Sequence, residues 1–215
     1  MNDLRLLSLL GLRLKGFSLP GDVADMYCLP VDDVEVELER SRQAGLVAFR
    51  EGDQDRWVLL SDGRMEGEVL LAQQLDALGA REVVETAYHQ FMKLNQPMLA
   101  VCTRWQVRSQ DPLVLNDHSD RAYDAAVIAE LAEIDTAIQQ IGTGLVSALD
   151  RFGRYGPGFG QALSRLEQGE IDWLTKPTVM SYHTLWFQLH EDLLATLGLD
   201  RASEAARFDG SDGAD

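Results

Sequence analysis

Residues 29–64 read LPVDDVEVELERSRQAGLVAFREGDQDRWVLLSDGR, and the rest of the N-terminal third is interpreted outward from them. Pro30 suits the start of a helix and Gly45 suits its C-terminal cap, so the first part of this stretch predicts a helix over residues 31–44. Apolar or small residues recur at helical spacing and predict the inward face of this helix. They are Val31, Val34, Leu38 and Ser41.

The second part of the same stretch predicts a β-hairpin. Residues 46–50 and 56–60 are two β-prone runs, and the charged, turn-forming residues 51–55 separate them. The sequence Ser-Asp-Gly-Arg at 61–64 then opens a further helix that continues to Leu78. On the N-terminal side, leucines at helical spacing predict a helix over residues 3–15, and Pro20 predicts the start of a short helix that ends at Tyr27.

The order helix, helix, turn, helix, hairpin, helix is that of a winged helix-turn-helix. Residues 4–75 resemble MarR- or PadR-type bacterial transcriptional regulators, through the leucine-rich first helix, Gly45-Leu46-Val47 and the run from Trp57 to Arg64. The resemblance implies that the third helix enters the major groove of DNA and that the wing contacts the phosphate backbone. The candidate DNA-binding residues are Arg40, Arg42, Arg50, Arg56 and Arg64. The alternative is that these arginines are solvated surface groups and helix-end charges.

The third helix carries an unusual charge for a DNA-reading element. Residues 31–40 contain five acidic residues and one arginine. If the predicted apolar stripe faces inward, the groove side presents Asp32, Asp33, Val36, Glu37 and Arg40, and carboxylates repel every phosphate that they approach. The rival hypothesis is therefore a winged helix that binds no DNA and uses this acidic helix to dock a partner protein.

Everything after Leu78 is predicted to be helical. Helices are expected over residues 81–94 and 97–108, with Asn95-Gln96-Pro97 between them, and the glycine-rich residues 152–160 are interpreted as an interhelical turn before short and longer helices at 161–168 and 178–197. A long helix is predicted before that turn, and apolar residues recur along one of its faces at intervals of four and three residues. This apolar seam is expected to pack either inside the helical bundle of its own chain or between subunits. The seam residues are Val127, Leu131, Ile134, Ile138, Ile141 and Leu145.

The chain is thus expected to be mainly α-helical, with three parts. They are a winged helix-turn-helix over residues 1–78, a helical bundle for dimerisation or effector binding over 79–201, and a disordered acidic tail over 202–215. The candidate effector-binding residues are Trp105, His118, His183, Trp186 and His190. Three interpretations of them are open: hydrogen-bonded core packing, a small-molecule pocket, and a metal site of His118, His183 and His190 with Asp117 or Glu191. Because residues seven apart lie two helical turns apart, His183 and His190 alone cannot share one ion, and no metal or other cofactor is predicted.

Composition narrows the function classes further. The 215 residues carry 19 basic and 35 acidic side chains, a net charge of −16. This charge argues against general attraction to nucleic acid or anionic lipid and leaves only local basic patches as candidate contacts.

Two cysteines, no secretion signal and no apolar run of about 20 residues predict a soluble cytoplasmic protein that is not bound to membranes. No catalytic motif is present, so an enzyme is not expected. The expected partners are DNA, a second copy of the chain in a homodimer, and a small-molecule effector.

Overall fold

The computed structural model describes residues 3–52 and 55–199, and over these the chain is mainly helical with two small antiparallel hairpins. The predicted acidic tail lies outside the described residues. The N-terminal elements are α1 (Leu4–Lys15), α2 (Pro20–Tyr27), α3 (Val31–Gln43), β1 (Val47–Arg50), β2 (Arg56–Leu59) and α4 (Ser61–Ala77). They are followed by α5 (Arg81–Gln106), β3 (Val107–Gln110), β4 (Leu113–Leu115), α6 (Arg121–Ala148), α7 (Tyr155–Glu167) and α8 (Tyr182–Leu197).

The chain forms two compact units. The first comprises residues 1–81 together with residues 191–215, and the second comprises residues 82–190, in each case over the part that the structure describes. The expected boundary near Leu78 lies close to the first break. The last turns of α8, from Glu191 onward, belong to the first unit, although they are remote from it in sequence.

Helix α1 is the centre of the first unit. Eight of its residues are buried, including leucines on every side of the helix. Leu6, Leu7, Leu10 and Leu14 form one apolar cluster with Leu71 of α4 and with residues of α2 and the end of α8. Leu9 and Leu12 form a second cluster with α2, α3 and the hairpin. Because a helix that is apolar all round must be enclosed, the neighbouring elements pack around α1.

Helices α2 and α3 are joined by a tight turn. Cys28 takes a left-handed conformation with φ of 53°, and the Leu29 N–H donates to the Ala24 carbonyl at 2.9 Å. Pro30 then starts α3, as predicted. The inward stripe of α3 is partly different from the prediction: Val34, Leu38 and Ser41 are buried, whereas Val31 is 42% exposed.

The strands β1 and β2 form the predicted hairpin, with Phe49 opposite Trp57 and Arg50 opposite Arg56. A single residue before α2 extends this sheet: the Ser18 N–H donates to the Trp57 carbonyl at 3.1 Å, and the Trp57 N–H donates to the Ser18 carbonyl at 2.9 Å. The hairpin is therefore held to the segment between α1 and α2.

Two sequence interpretations in the second unit are wrong. Helix α5 runs without interruption through Pro97, where a break was expected. Its apolar face continues across the proline through Phe91, Met98 and Val101, and the burial of this face outweighs the one backbone hydrogen bond that a proline removes. The predicted end at Arg108 is also wrong, because β3 begins at Val107 and pairs with β4 in a hairpin that the sequence did not reveal.

The glycine-rich stretch also differs from its prediction. Residues 155–160 are the first turns of α7 and not an interhelical turn. Tyr155 and Phe159 are buried on one face of this helix, and a Cβ at Gly158 would stand 3.1 Å from the Leu185 side chain. The small residues therefore allow α7 to pack closely against its neighbour, and the aromatic residues hold it there.

The long seam predicted in α6 is buried within this chain. Its six apolar residues are at most 7% exposed. Of the two possibilities for the seam, the structure shows packing inside the bundle of its own unit. Most of the packing partners lie in α7 and in the 3-10 helix Asp150–Arg154 that precedes it.

Gly63 provides a test of how closely α4 approaches the hairpin. A Cβ at this position would lie 2.0 Å from the Leu46 carbonyl oxygen, which is backbone and cannot rotate away. We expect Gly63→Ala to lower the free energy of unfolding by about 3 kcal/mol, because the helix must move outward. The measurement is urea unfolding followed by circular dichroism.

The matched control is Gly67→Ala on the same helix. A Cβ there would lie 3.7 Å from Leu9, an ordinary contact, so this variant should be as stable as the wild type or more stable by up to about 1 kcal/mol. Equal stability of the two variants would show that α4 is not held against the Leu46 carbonyl.

Candidate functional site

Two of the predicted DNA-binding arginines on α3 are paired with acids of the same helix. Arg42 donates to both Glu39 carboxylate oxygens, at 2.8 and 2.7 Å, and this pairing raises the pKa of Arg42 and lowers the pKa of Glu39 to about 2. Arg40 lies 3.8 Å from the Glu37 carboxylate. Their positive charge is therefore largely balanced before any ligand approaches.

Glu37 was expected on the groove side of α3, and this expectation is wrong. The residue is 5% exposed, accepts a hydrogen bond from Arg5 Nε at 3.0 Å and lies 3.3 Å from the Ser41 hydroxyl. The partner is on α1, so helical spacing alone could not reveal that Glu37 faces inward. An ion pair with Arg5 replaces the water that the buried carboxylate has lost.

Arg64, at the start of α4, faces another internal acid. Its guanidinium lies 3.8 Å from Glu191, which accepts a shorter hydrogen bond from Arg13 at 2.8 Å. Arg13 also donates to Glu68 at 2.9 Å. Arg64 therefore lies at the edge of an ion-pair network within the first unit.

The hairpin presents the remaining two arginines of the set. Arg50 is exposed and lies directly opposite Arg56 in the antiparallel register, so both side chains project from the same face of the hairpin. Arg50 makes no ion pair with any described residue. The pair concentrates positive charge at the loop end of the two strands.

The outward face of α3 is acidic in the structure as in the sequence. Asp32, Asp33 and Glu35 are exposed, and Val36 is exposed among them. None of these three acids forms an ion pair within residues 3–52 or 55–199. This face carries negative charge that the described chain leaves unbalanced.

The candidate effector residues fall into separate groups. Trp186 is buried between aromatic rings, 4.6 Å from Phe91 between centroids, and its Nε1 donates to the Asn95 side chain at 2.8 Å. His190 lies against the same phenylalanine at 5.3 Å. His183 is at the surface, but protein atoms cover part of its ring. This partial burial disfavours the charged imidazole and lowers the pKa of His183. Core packing accounts for Trp186, and the described contacts do not bring these three residues to one site with His118.

Trp105 and His118 do lie together, and they belong to a buried polar cluster. Their ring centroids are 4.5 Å apart. His118 Nδ1 lies 3.0 Å from Asp124 Oδ2, and Asn116 Nδ2 donates to Asp124 Oδ1 at 2.8 Å and to the Trp105 carbonyl at 3.1 Å. An ionised carboxylate only accepts hydrogen bonds, so in this contact the hydrogen is carried by Nδ1 of His118, and Nε2 is the second ring nitrogen.

The backbone at His118 is also unusual. Its φ is +60°, a left-handed conformation that costs energy in a residue with a Cβ. The His118 N–H donates to the Asn116 side-chain oxygen at 3.2 Å, and Asp120 caps α6 by accepting from the Ala122 and Tyr123 N–H groups at 3.1 Å. Among these residues the sequence singled out Trp105 and His118, but the two buried partners, Asn116 and Asp124, were missed.

This cluster faces a cleft of about 430 Å³, named here the His118 cleft. Its polar lining comes from His118, Arg121, Asp124 and Glu167, and its apolar lining includes Ile128, Leu166 and Ile171. The His118 side chain is 19% exposed, and its Nε2 has no hydrogen-bond partner among the described residues. The cleft therefore offers a positioned imidazole nitrogen beside an apolar wall.

Other buried polar groups of the second unit serve its core. The Tyr182 hydroxyl donates to Asp135 at 3.1 Å, and burial raises the pKa of both groups. Arg154 donates to the Gln188 side chain and lies over the Tyr155 ring. Burial raises the pKa of the Cys102 thiol to about 11, so it stays protonated and unreactive near neutral pH.

No group of three or more His, Cys, Asp or Glu side chains is arranged to hold a metal ion in the described part of the chain. None of the described helices combines the length and the apolar character that crossing a bilayer requires. Comparison with protein-family models, with curated proteins and with solved structures found no match to this chain.

Asp124 tests whether the polar cluster is a stable, ordered unit. Asp124→Ala leaves the side-chain donors of Asn116 and His118 buried without their acceptor, so we expect the free energy of unfolding to fall by roughly 2–3 kcal/mol. Urea unfolding gives this value.

Asp117→Ala is the control in the same loop. Asp117 is exposed and accepts hydrogen bonds from the Ser119 N–H and hydroxyl, so its loss should leave unfolding close to that of the wild type. If the two variants are equally stable, Asp124 does not hold the cluster together.

Proposed function

We propose that this chain is a DNA-binding transcriptional regulator of the winged helix-turn-helix type, similar to MarR and PadR proteins. The observation that carries the proposal is the hairpin, which places Arg50 and Arg56 side by side directly after the helix pair α2–α3. In a winged helix-turn-helix this hairpin is the wing, and two adjacent guanidinium groups suit phosphates of one DNA backbone.

The arrangement of the first unit supports the proposal. Helices α2 and α3 are separated by a three-residue turn at Cys28–Pro30, α1 packs against both, and the Ser18–Trp57 pairing ties the hairpin to the start of α2. A second helix after such a turn is the one that lies in the major groove in helix-turn-helix proteins. The wing and α3 are then positioned by one core.

Charge determines the mode of binding within this proposal. Helix α3 offers Asp32, Asp33 and Glu35 to a groove, and carboxylates accept hydrogen bonds there only from base amino groups, such as that of cytosine. The wing must supply most of the phosphate contacts. We therefore propose weak binding or an unusual sequence preference, with strong dependence on salt.

The other parts of the proposal follow from the same interpretation. The second unit would dimerise or sense an effector, and a dimer would read paired half-sites about one helical turn apart. Such a regulator would work as a soluble protein in the cytoplasm.

The decisive experiment is selection of bound sequences from a fragmented genomic DNA pool at two salt concentrations, followed by titration of the selected site. We expect Arg50→Ala/Arg56→Ala to weaken binding and to reduce the slope of log affinity against log salt by about 2, since each lost phosphate contact removes about 0.9. Arg81→Ala/Arg165→Ala removes the same charge elsewhere and should leave the slope unchanged. No enriched DNA at either salt, with no effect of the wing variant, would refute the proposal.

A second function is favoured by one observation, the unbalanced acidic face of α3. In this alternative the winged helix docks the basic surface of a partner protein and reads no DNA. The charge reversal Asp32→Lys/Asp33→Lys/Glu35→Lys distinguishes the two. In the alternative, the charge-reversed variant no longer captures the partner protein that the wild type captures from an extract of the native host. Neither the wild type nor the variant then binds DNA.

In the regulator the same reversal removes repulsion, so DNA binding should strengthen and its salt slope should steepen by up to about 3. Glu82→Lys/Glu133→Lys, on exposed positions of the second unit, is the control for general charge. Partner sets that are identical for the wild type and the α3 variant would exclude docking through α3.

A further inference from the structure

The His118 cleft combines features that a structural cluster alone does not require. Burying Asn116, His118 and Asp124 away from water costs free energy that an apolar core would avoid. The backbone of His118 adds a left-handed conformation to that cost. What the cluster produces is one imidazole nitrogen, Nε2, held in a fixed orientation and left without a partner among the described residues.

The hydrogen-bonding character of this nitrogen follows from Asp124. With the hydrogen of Nδ1 directed at the carboxylate, 3.0 Å away, Nε2 is a hydrogen-bond acceptor in the neutral ring. Trp105 packs against the ring, with 4.5 Å between the ring centroids. A ligand that pairs with Nε2 of the neutral ring supplies an N–H or O–H donor.

The cleft also carries one charge of each sign at its rim. Arg121 and Glu167 both line it, and neither forms an ion pair within residues 3–52 and 55–199. Glu167 is the last residue of α7, so the negative end of that helix adds to its attraction for a cation. The rim therefore suits a ligand with separate positive and negative groups.

The remaining wall of the cleft is apolar. Ile128 comes from α6, Leu166 from α7 and Ile171 from the segment that follows, and all three line the same space of about 430 Å³. This wall suits a small aliphatic or aromatic group.

We propose that the His118 cleft binds a free α-amino acid with an apolar side chain. Its carboxylate pairs with Arg121, its ammonium group donates to His118 Nε2 and is attracted by Glu167, and its side chain packs against Ile128 and Leu166. The site lies wholly within the second unit, so binding is measured without DNA and its outcome is independent of the regulator proposal.

Isothermal titration calorimetry of the full chain tests the proposal with three molecules that share one isobutyl group. L-leucine carries both charges, 4-methylpentanoate lacks the ammonium group, and 3-methylbutylamine lacks the carboxylate. We expect L-leucine to bind at least about tenfold more tightly than either analogue, since each analogue loses one charged pairing.

Two surface variants assign the charges. Arg121→Gln should weaken leucine by about tenfold and leave the amine unchanged, whereas Glu167→Gln should weaken leucine and the amine and leave the acid unchanged. Both residues are exposed, so neither substitution should disturb the fold, and circular dichroism checks this. Glu133→Gln, an exposed acid of α6 outside the cleft, is the control.

Three results would overturn the proposal. One is the absence of binding heat with leucine, valine, methionine and phenylalanine at millimolar concentration. Another is equal or tighter binding of either analogue than of leucine. The third is leucine binding that Arg121→Gln and Glu167→Gln leave unchanged, which would place the amino acid elsewhere on the chain.

Discussion

The enclosure of α1 is the constraint on which the first unit depends. A helix with leucines on all sides cannot face water, so α2, α3, α4 and the hairpin must each cover part of it. This fixes which face of α3 is left outward and where the β1–β2 hairpin leaves the core. The position of every candidate DNA contact is thus a consequence of covering α1, and a change in that packing would move the hairpin and α3 together.

The ion pair between Arg5 and Glu37 shows how this packing alters the chemistry of α3. Glu37 faces α1 rather than the outside of α3, and its carboxylate lies close to the Arg40 guanidinium. Arg42 likewise forms an ion pair with Glu39. Helix α3 therefore has less usable positive charge than its sequence indicates, and also one acid fewer on its outer face.

The sequence predicted the local structure of the first unit closely, and the reasons are local. Pro20, Pro30 and Gly45 mark ends of elements through their own backbone preferences, and the observed bounds of α1, α2 and α3 agree with those predicted to within one residue. What remained hidden depends on partners distant in the chain. Arg5 and Glu37 are 32 residues apart, and Arg13 and Glu191 are 178 apart.

The same distinction explains the second unit. Pro97 and the glycines of 155–160 are local helix breakers, but the burial of a continuous apolar face overrides them. The pattern of a single sequence does not reveal whether local propensity or burial decides the structure at such a position. Of the candidate site, Trp105 and His118 were predicted because aromatic and imidazole side chains are informative on their own. Asn116 and Asp124 were missed because an amide in a turn and an acid in the first turn of a helix both have ordinary structural roles.

The two units place different demands on electrostatics. A net charge of −16 repels DNA, so the proposed regulator would need charge that is local, exposed and unbalanced, and Arg50 is the clearest such group among the candidates. A small zwitterion has no net charge and meets no such barrier. Acidic composition therefore confines any attraction for nucleic acid to local basic groups. In the amino-acid site proposed for the His118 cleft, selectivity would depend on the positions of atoms rather than on the field of the whole chain.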